Sequence, residues 1–196
     1  MSTTNRTLIE QLKITNREIE RRKEYFGFTS DDVCILVSLR ELISTHIEEI
    51  VEDFYSKIVP FAEMDHVIGD AETLRRLKNY QRNYILSLFD GQYGEDYVHS
   101  RLRIGVVHKR IGVEPKYYVS AIHNMSTTLR KIIASNRNHD CGTCVSSLAS
   151  IQKIMMFDLS FTFDTYINSL MDEARRSKEE LEHYTLGIRH KLILPQ

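Results

Sequence analysis

His108 is the side chain in this sequence best suited to hold a metal. It lies one turn beyond Ile104 and Gly105 on the same face of an apolar helical stretch, with the glycine leaving room beside it. A single helical histidine also serves as a surface group or a satisfied core group, so spacing alone leaves ligation and packing both open. Cys141-Gly-Thr-Cys144, with His139 close by, has the spacing of a redox pair or half a zinc site. Val145 stands where covalent c-type haem attachment requires histidine, and the loop lacks the ligands to complete a zinc shell, so an ordinary reduced loop is the simpler reading. Tyr55 falls on an amphipathic stripe, where core packing alone accounts for a tyrosine.

The elements that must position these residues are helices. Three prolines and eight glycines in 196 residues are few for a sandwich or barrel and suit long helices. Residues 5–24 read as one charged helix with Leu8, Ile9, Leu12 and Ile19 on its apolar side, appended to the core. Thr29 or Ser30 then caps a short helix through Leu39. From Leu39 to Ile58 the apolar positions recur at three- and four-residue steps, which predicts one long helix ended by Pro60.

Asp70 is the expected N-cap of a helix reaching about Phe89, with Leu74, Leu77, Tyr80 or Gln81, Tyr84 and Leu88 as its inner stripe. A further helix runs from Glu95 past His108 to Gly112, and Pro115 opens the next, to about Ser135. After a polar loop at 136–143, the last helix extends from about Val145 beyond Ala174 with a broad apolar face from Leu148 to Met171.

Lys+Arg of 26 against Asp+Glu of 27 leaves a net charge of -1, which offers no bulk attraction to nucleic acid or an anionic membrane. A polar N-terminus and the lack of a long apolar window predict a cytoplasmic protein with no membrane span. Three cysteines fit reduced thiols better than a disulfide framework. The 42% hydrophobic content is enough to enclose a cofactor within one core.

The stretch at 101–121, RLRIGVVHKRIGVEPKYYVSA, closely resembles the proximal segment of the bacterial globin-coupled sensors: a histidine, then Ile-Gly, Pro, an aromatic pair and Ala. Here these are His108, Ile111-Gly112, Pro115, Tyr117-Tyr118 and Ala121. Upstream, Phe54-Tyr55 is similar to the family's distal Phe-Tyr, and Arg76-Leu77-Lys78 to its distal helix. Three stretches in register make the resemblance specific over about residues 30–175.

The resemblance implies an all-α globin fold that lacks the usual fourth globin helix and carries an extra N-terminal helix. It implies haem b, iron protoporphyrin IX, between the helix of His108 and that of Leu77. His108 is then the iron ligand, with its second ring nitrogen seeking an acceptor. Tyr55 becomes the distal hydrogen-bond donor beside Phe54, Leu77 the apolar residue over the iron, and Tyr118 a proximal tyrosine that responds to ligand. Tyr80 departs from the family's smaller residue and either adds a hydroxyl or crowds the pocket; Tyr117 replaces the more usual tryptophan. His66 is the one candidate for a second iron-binding histidine, against a five-coordinate or water-bound iron.

Three functions compete. The first is a sensor of oxygen and other diatomic gases. It would act as a homodimer through the last two helices, with residues 1–29 as an extension, 30–175 as the globin and 176–196 as a signalling helix or tail. It would serve an output domain such as a diguanylate cyclase, histidine kinase or chemotaxis transducer, none of whose motifs occurs in this sequence. The sensor module itself is then non-catalytic. The second is a globin dioxygenase that detoxifies nitric oxide, and the third a cofactor-free globin-like interaction domain.

Overall fold

The computed structural model describes residues 7–136 and 141–193, with the side chains at 141, 143 and 186–193 outside the described set. Among the described residues all regular structure is helical: α1 (Leu8–Gln11), α2 (Asn16–Tyr25), α3 (Ser30–Thr45), α4 (Ile47–Ile58), a 3-10 turn (Ala62–Met64), α5 (Asp65–Ile68), α6 (Ala71–Ser87), α7 (Glu95–Arg110), α8 (Pro115–Asn136) and α9 (Cys141–Ile193).

The N-terminal stretch is two helices rather than one. Lys13 takes a left-handed backbone (φ 55°), and Thr15 starts α2 afresh by accepting a hydrogen bond from the Glu18 amide at 3.2 Å. Nor is the segment merely appended, because Ile14 and Ile19 are buried in the common core and Arg22 pairs with Asp164 of α9 at 2.6 Å.

The next boundary also moves. The helix opened by Thr29 does not end at Leu39 but continues to Thr45, and the break falls at His46. Both helices carry the same apolar period, and neither Gly nor Pro marks the joint. Thr29 and Asp32 cap α3 reciprocally. The Asp70 cap is as expected, its carboxylate accepting from the Thr73 amide at 2.7 Å. Between α4 and α6 only single-turn elements occur.

Helix α9 is the spine. Its buried Ile151, Ile154, Met155, Phe157 and Phe161 lie among the central side chains of α3, α6, α7 and α8. It crosses α7 so closely that Gly105 is pressed against it: a β-carbon there would lie 2.9 Å from the Thr162 carbonyl oxygen. The apolar residues of α9 beyond this crossing, Ile167, Leu170, Met171, Leu181 and Tyr184, are exposed.

Candidate functional site

Helix α7 presents His108 in its last turn, half-buried. The Nδ1 atom donates to the carbonyl oxygen of Ile104, one turn back, at 2.8 Å. A carbonyl can only accept, so the bond fixes the proton on Nδ1 and leaves Nε2 with a free lone pair. Burial lowers the His108 pKa below the ordinary histidine value, by more than the Ile104 bond raises it. Burial, the larger effect, favours the neutral imidazole, and the Ile104 bond aims it from its own helix; a neutral imidazole is the form a metal binds.

Helix α7 is tied to α6 two turns before His108. The polar links between α6 and α7 gather near one end, where the Arg101 guanidinium donates to Ser87 Oγ at 2.7 Å and lies 4.7 Å over the Tyr84 ring. Seven residues, two turns, separate Ser87 from Tyr80, and seven separate Arg101 from His108. Tyr80 and His108 therefore stand the same distance from the point where the two helices are tied.

Tyr80 is 70% exposed, and Gln81 takes the inner position, donating to the Met125 sulfur at 3.1 Å. On the helical wheel Tyr80 lies on the flank of Tyr84 and Ser87, the two residues that touch α7, while Lys78 and Arg82 on the opposite flank pair with Glu52 and Glu48 of α4. Tyr80 is thus on the α7-facing side of α6 rather than in the core. Leu74 and Leu77 are half-buried on the same helix and pack against the core.

Tyr55 is buried in α4, its ring 5.1 Å from Phe54 in an edge-on contact. Its hydroxyl forms no hydrogen bond with a described residue, and burial raises its pKa well above the ordinary tyrosine value, so it is an unspent donor at every physiological pH. Tyr118 stands on the other side. Its ring meets His108 edge-on at 5.0 Å, and its hydroxyl lies 3.2 Å from Thr162 Oγ1 on α9.

These residues fit a haem. One neutral imidazole with a committed tautomer is available, half-buried apolar side chains including Phe54, Val67, Leu74, Leu77, Ile104, Ile111 and Tyr117 pack against the core, and no group of three His, Cys, Asp or Glu among the described residues offers a competing metal site. His66 is exposed and reaches the corner after α7, its Nε2 3.7 Å from a β-carbon placed on Gly112. The His139 and Cys141 side chains lie outside the described residues; Cys144 is a free thiol. Sequence reading missed the acceptor for His108, the Thr162 partner of Tyr118 and the buried Arg101–Asp158 pair. Only the last left a visible signal, an aspartate inside the apolar run IMMFDLSF.

Residues 15–172 match the family model described as Protoglobin. The chain is 26% identical over 184 residues to the heme-based aerotactic transducer HemAT of Halobacterium salinarum, covering 89% of this chain and 37% of the transducer. It thus spans little more than a third of that relative. Its fold is similar to the globin domain of the Geobacter sulfurreducens globin-coupled sensor, with a TM-score of 0.71 and 26% identity over 75% of this chain and 96% of that one.

Proposed function

The chain belongs to the protoglobin family, and on that premise we propose that it is a haem b sensor globin that reversibly binds oxygen and other diatomic gases and signals through α8 and α9. The observation that carries this reading is the Nδ1 bond of His108 to Ile104, which leaves Nε2 as an oriented, neutral ligand. When bound, haem supplies an iron centre for reversible gas binding. Leu74, Leu77 and Phe54 keep water away. Tyr55 holds a phenolic proton ready for a guest that carries partial negative charge, and Tyr80 offers a second hydroxyl from α6.

The signal leaves by way of Tyr118. Its ring follows any shift of His108, and its hydroxyl holds Thr162, so a proximal displacement reaches α9 directly. The exposed apolar stripe of α9 packs against that of a second copy, making a homodimer. Residues 30–175 are the sensing globin after an N-terminal extension, and 176–196 are a signalling helix or tail that leads toward an output domain or partner. No described helix is long and apolar enough to cross a membrane, and we place the protein in the cytoplasm.

The test is His108→Ala. The variant is expected to lose haem, or to hold it with an altered ferrous spectrum, because no neighbouring residue replaces the imidazole. Full haem content with a wild-type ferrous spectrum overturns the assignment.

A further inference from the structure

Arg101 and Asp158 form an ion pair in the centre of the molecule, with side chains 3% and 1% exposed. Three helices meet on it. From α7, Arg101 Nε donates to Asp158 Oδ2 of α9 at 2.7 Å, while its Nη2 holds Ser87 of α6. From α6, the Tyr84 hydroxyl donates to the same Oδ2 at 3.1 Å. The guanidinium lies between two rings, 3.8 Å from the Tyr97 centroid and 4.7 Å from that of Tyr84.

A buried pair of this kind is a poor source of net stability, since desolvation offsets most of the attraction; what it enforces is one arrangement of its helices. This one also has a spare donor and a spare acceptor. Asp158 Oδ1 and the Tyr97 hydroxyl are both buried without a hydrogen-bond partner. The carboxylate thus has two phenols beside it: Tyr84 of α6, bonded to Oδ2, and Tyr97 of α7, near enough to act on the Asp158 carboxyl but short of a well-formed bond. When α6 withdraws Tyr84, closure of Tyr97 on the free oxygen keeps the number of bonds, which is the form a two-state element takes in a packed interior.

Asp158 and Thr162 are one turn apart on the same face of α9. Thr162 receives the proximal side through Tyr118. Asp158 receives α6 through Tyr84, which lies one turn from Tyr80 and two turns from Leu77. We propose that Asp158, held by Arg101, is a second coupling point through which displacement of α6 reaches α9 by way of Tyr84, independently of the His108–Tyr118–Thr162 route. Tyr84, Arg101 and Asp158 are positioning residues in this scheme; none touches the guest. The proposal rests on the sensor reading above.

Hydrogen exchange of α9 over residues 154–172 tests it, read by mass spectrometry on the haem-loaded 196-residue chain with and without carbon monoxide. Four proteins are compared: wild type, Tyr84→Phe, Thr162→Val and the double variant. The expected result is a ligand-dependent change in wild type that falls by about half in each single variant and vanishes in the double, as for two separate contributions to one coupling. The ferrous and carbonyl spectra of Tyr84→Phe stay as in wild type, because its hydroxyl bonds Asp158 and not His108. A full wild-type change in Tyr84→Phe, or a double variant no different from Thr162→Val, overturns the proposal.

If Tyr84→Phe loses haem, Tyr97→Phe takes its place in the comparison. Removing the alternative donor must also diminish the change, and an undiminished one is equally fatal. A wild-type chain that binds no haem, or shows no change in α9 with carbon monoxide, instead overturns the sensor reading itself.

Discussion

A β-carbon on Gly105 would stand 2.2 Å from Oγ1 of Thr165, so α7 and α9 cross where nothing larger than hydrogen fits. The crossing is one turn before His108 and lies at Thr162–Thr165 of α9, one turn beyond Asp158, between the His108 helix and the spine. Thr165 cannot simply swing aside, since its hydroxyl bonds the Thr162 carbonyl at 2.7 Å, and that carbonyl is itself too close.

Gly105→Ala is therefore expected to lower stability although alanine is the better helix former by about 1 kcal/mol. Overpacking at a rigid crossing costs roughly 1–3 kcal/mol and outweighs the propensity gain. Urea denaturation midpoints check it, and a variant as stable as wild type would mean that α7 and α9 slide freely past each other.

At the opposite end of the spine, Asp32 ties the start of α3 to α9. Its carboxylate accepts from Ser150 at 2.7 Å and pairs with Lys153 at 2.9 Å. Burial tends to raise its pKa, but Lys153, Ser150 and Thr29 together pull it below the ordinary aspartate value. A depressed pKa contributes stability above the unfolded-state value and loses it as pH falls through the folded-state value. Asp32→Asn should thus cost about 2 kcal/mol near neutrality, with the deficit shrinking as pH drops through and below the usual aspartate range. A deficit that is constant with pH would show that the charge is not what holds the two helices.

Helix existence and the family of the segment around His108 were legible because they depend on local signals: apolar period, the Asp70 cap, Pro115, and the run of residues after His108. Boundaries without a local signal were not. The break at His46 separates two helices of the same period, and nothing in the residues themselves distinguishes it from Leu39. The break at Lys13 could have been found from Thr15 and Glu18, which have capping spacing.

Contacts made by packing were out of reach for a different reason. The Ile104 acceptor is a backbone atom with no side-chain signature, and the partnership of Arg101 with Asp158 joins residues 57 apart in sequence. Tyr80 and Gln81 could not be ranked on the inner stripe, since adjacent positions on a helix lie on adjoining flanks and only the tertiary partner, Met125, decides between them.

The dimer carries its own test. Ile167, Leu170, Met171, Leu181 and Tyr184 are each more than half exposed, and Leu170 and Met171 follow Ile167, and Tyr184 follows Leu181, at the three-and-four spacing of a helix that packs on another helix. Leu170→Asp should convert a dimer into a monomer at micromolar concentration while leaving helix content and haem content unchanged. Sedimentation velocity reads the outcome; a wild-type chain that is monomeric at those concentrations removes the dimer from the scheme.

Tyr55→Phe addresses the gas itself. The substitution removes one hydroxyl and keeps the ring that packs on Phe54, so haem binding and stability should hold. The hydroxyl has no partner among the described residues, so no hydrogen bond within the fold is broken and the effect falls on the guest. A haem-bound oxygen would carry partial negative charge, and a lost hydrogen bond to such an acceptor costs about 1.5–3 kcal/mol, or roughly ten-fold to more than a hundred-fold in dissociation rate. Carbon monoxide carries less negative charge on its outer atom, and its dissociation should change far less, which separates electrostatics from sterics. Stopped-flow dissociation of both gases makes the comparison. Should both rates stay at wild-type values, Tyr55 is a packing residue and the donor role passes to Tyr80, which faces the α7 side of α6 two turns from the Ser87–Arg101 contact. Tyr80→Phe alone, and with Tyr55→Phe, then decides whether the two hydroxyls substitute for one another: an effect seen only in the double variant means that they do.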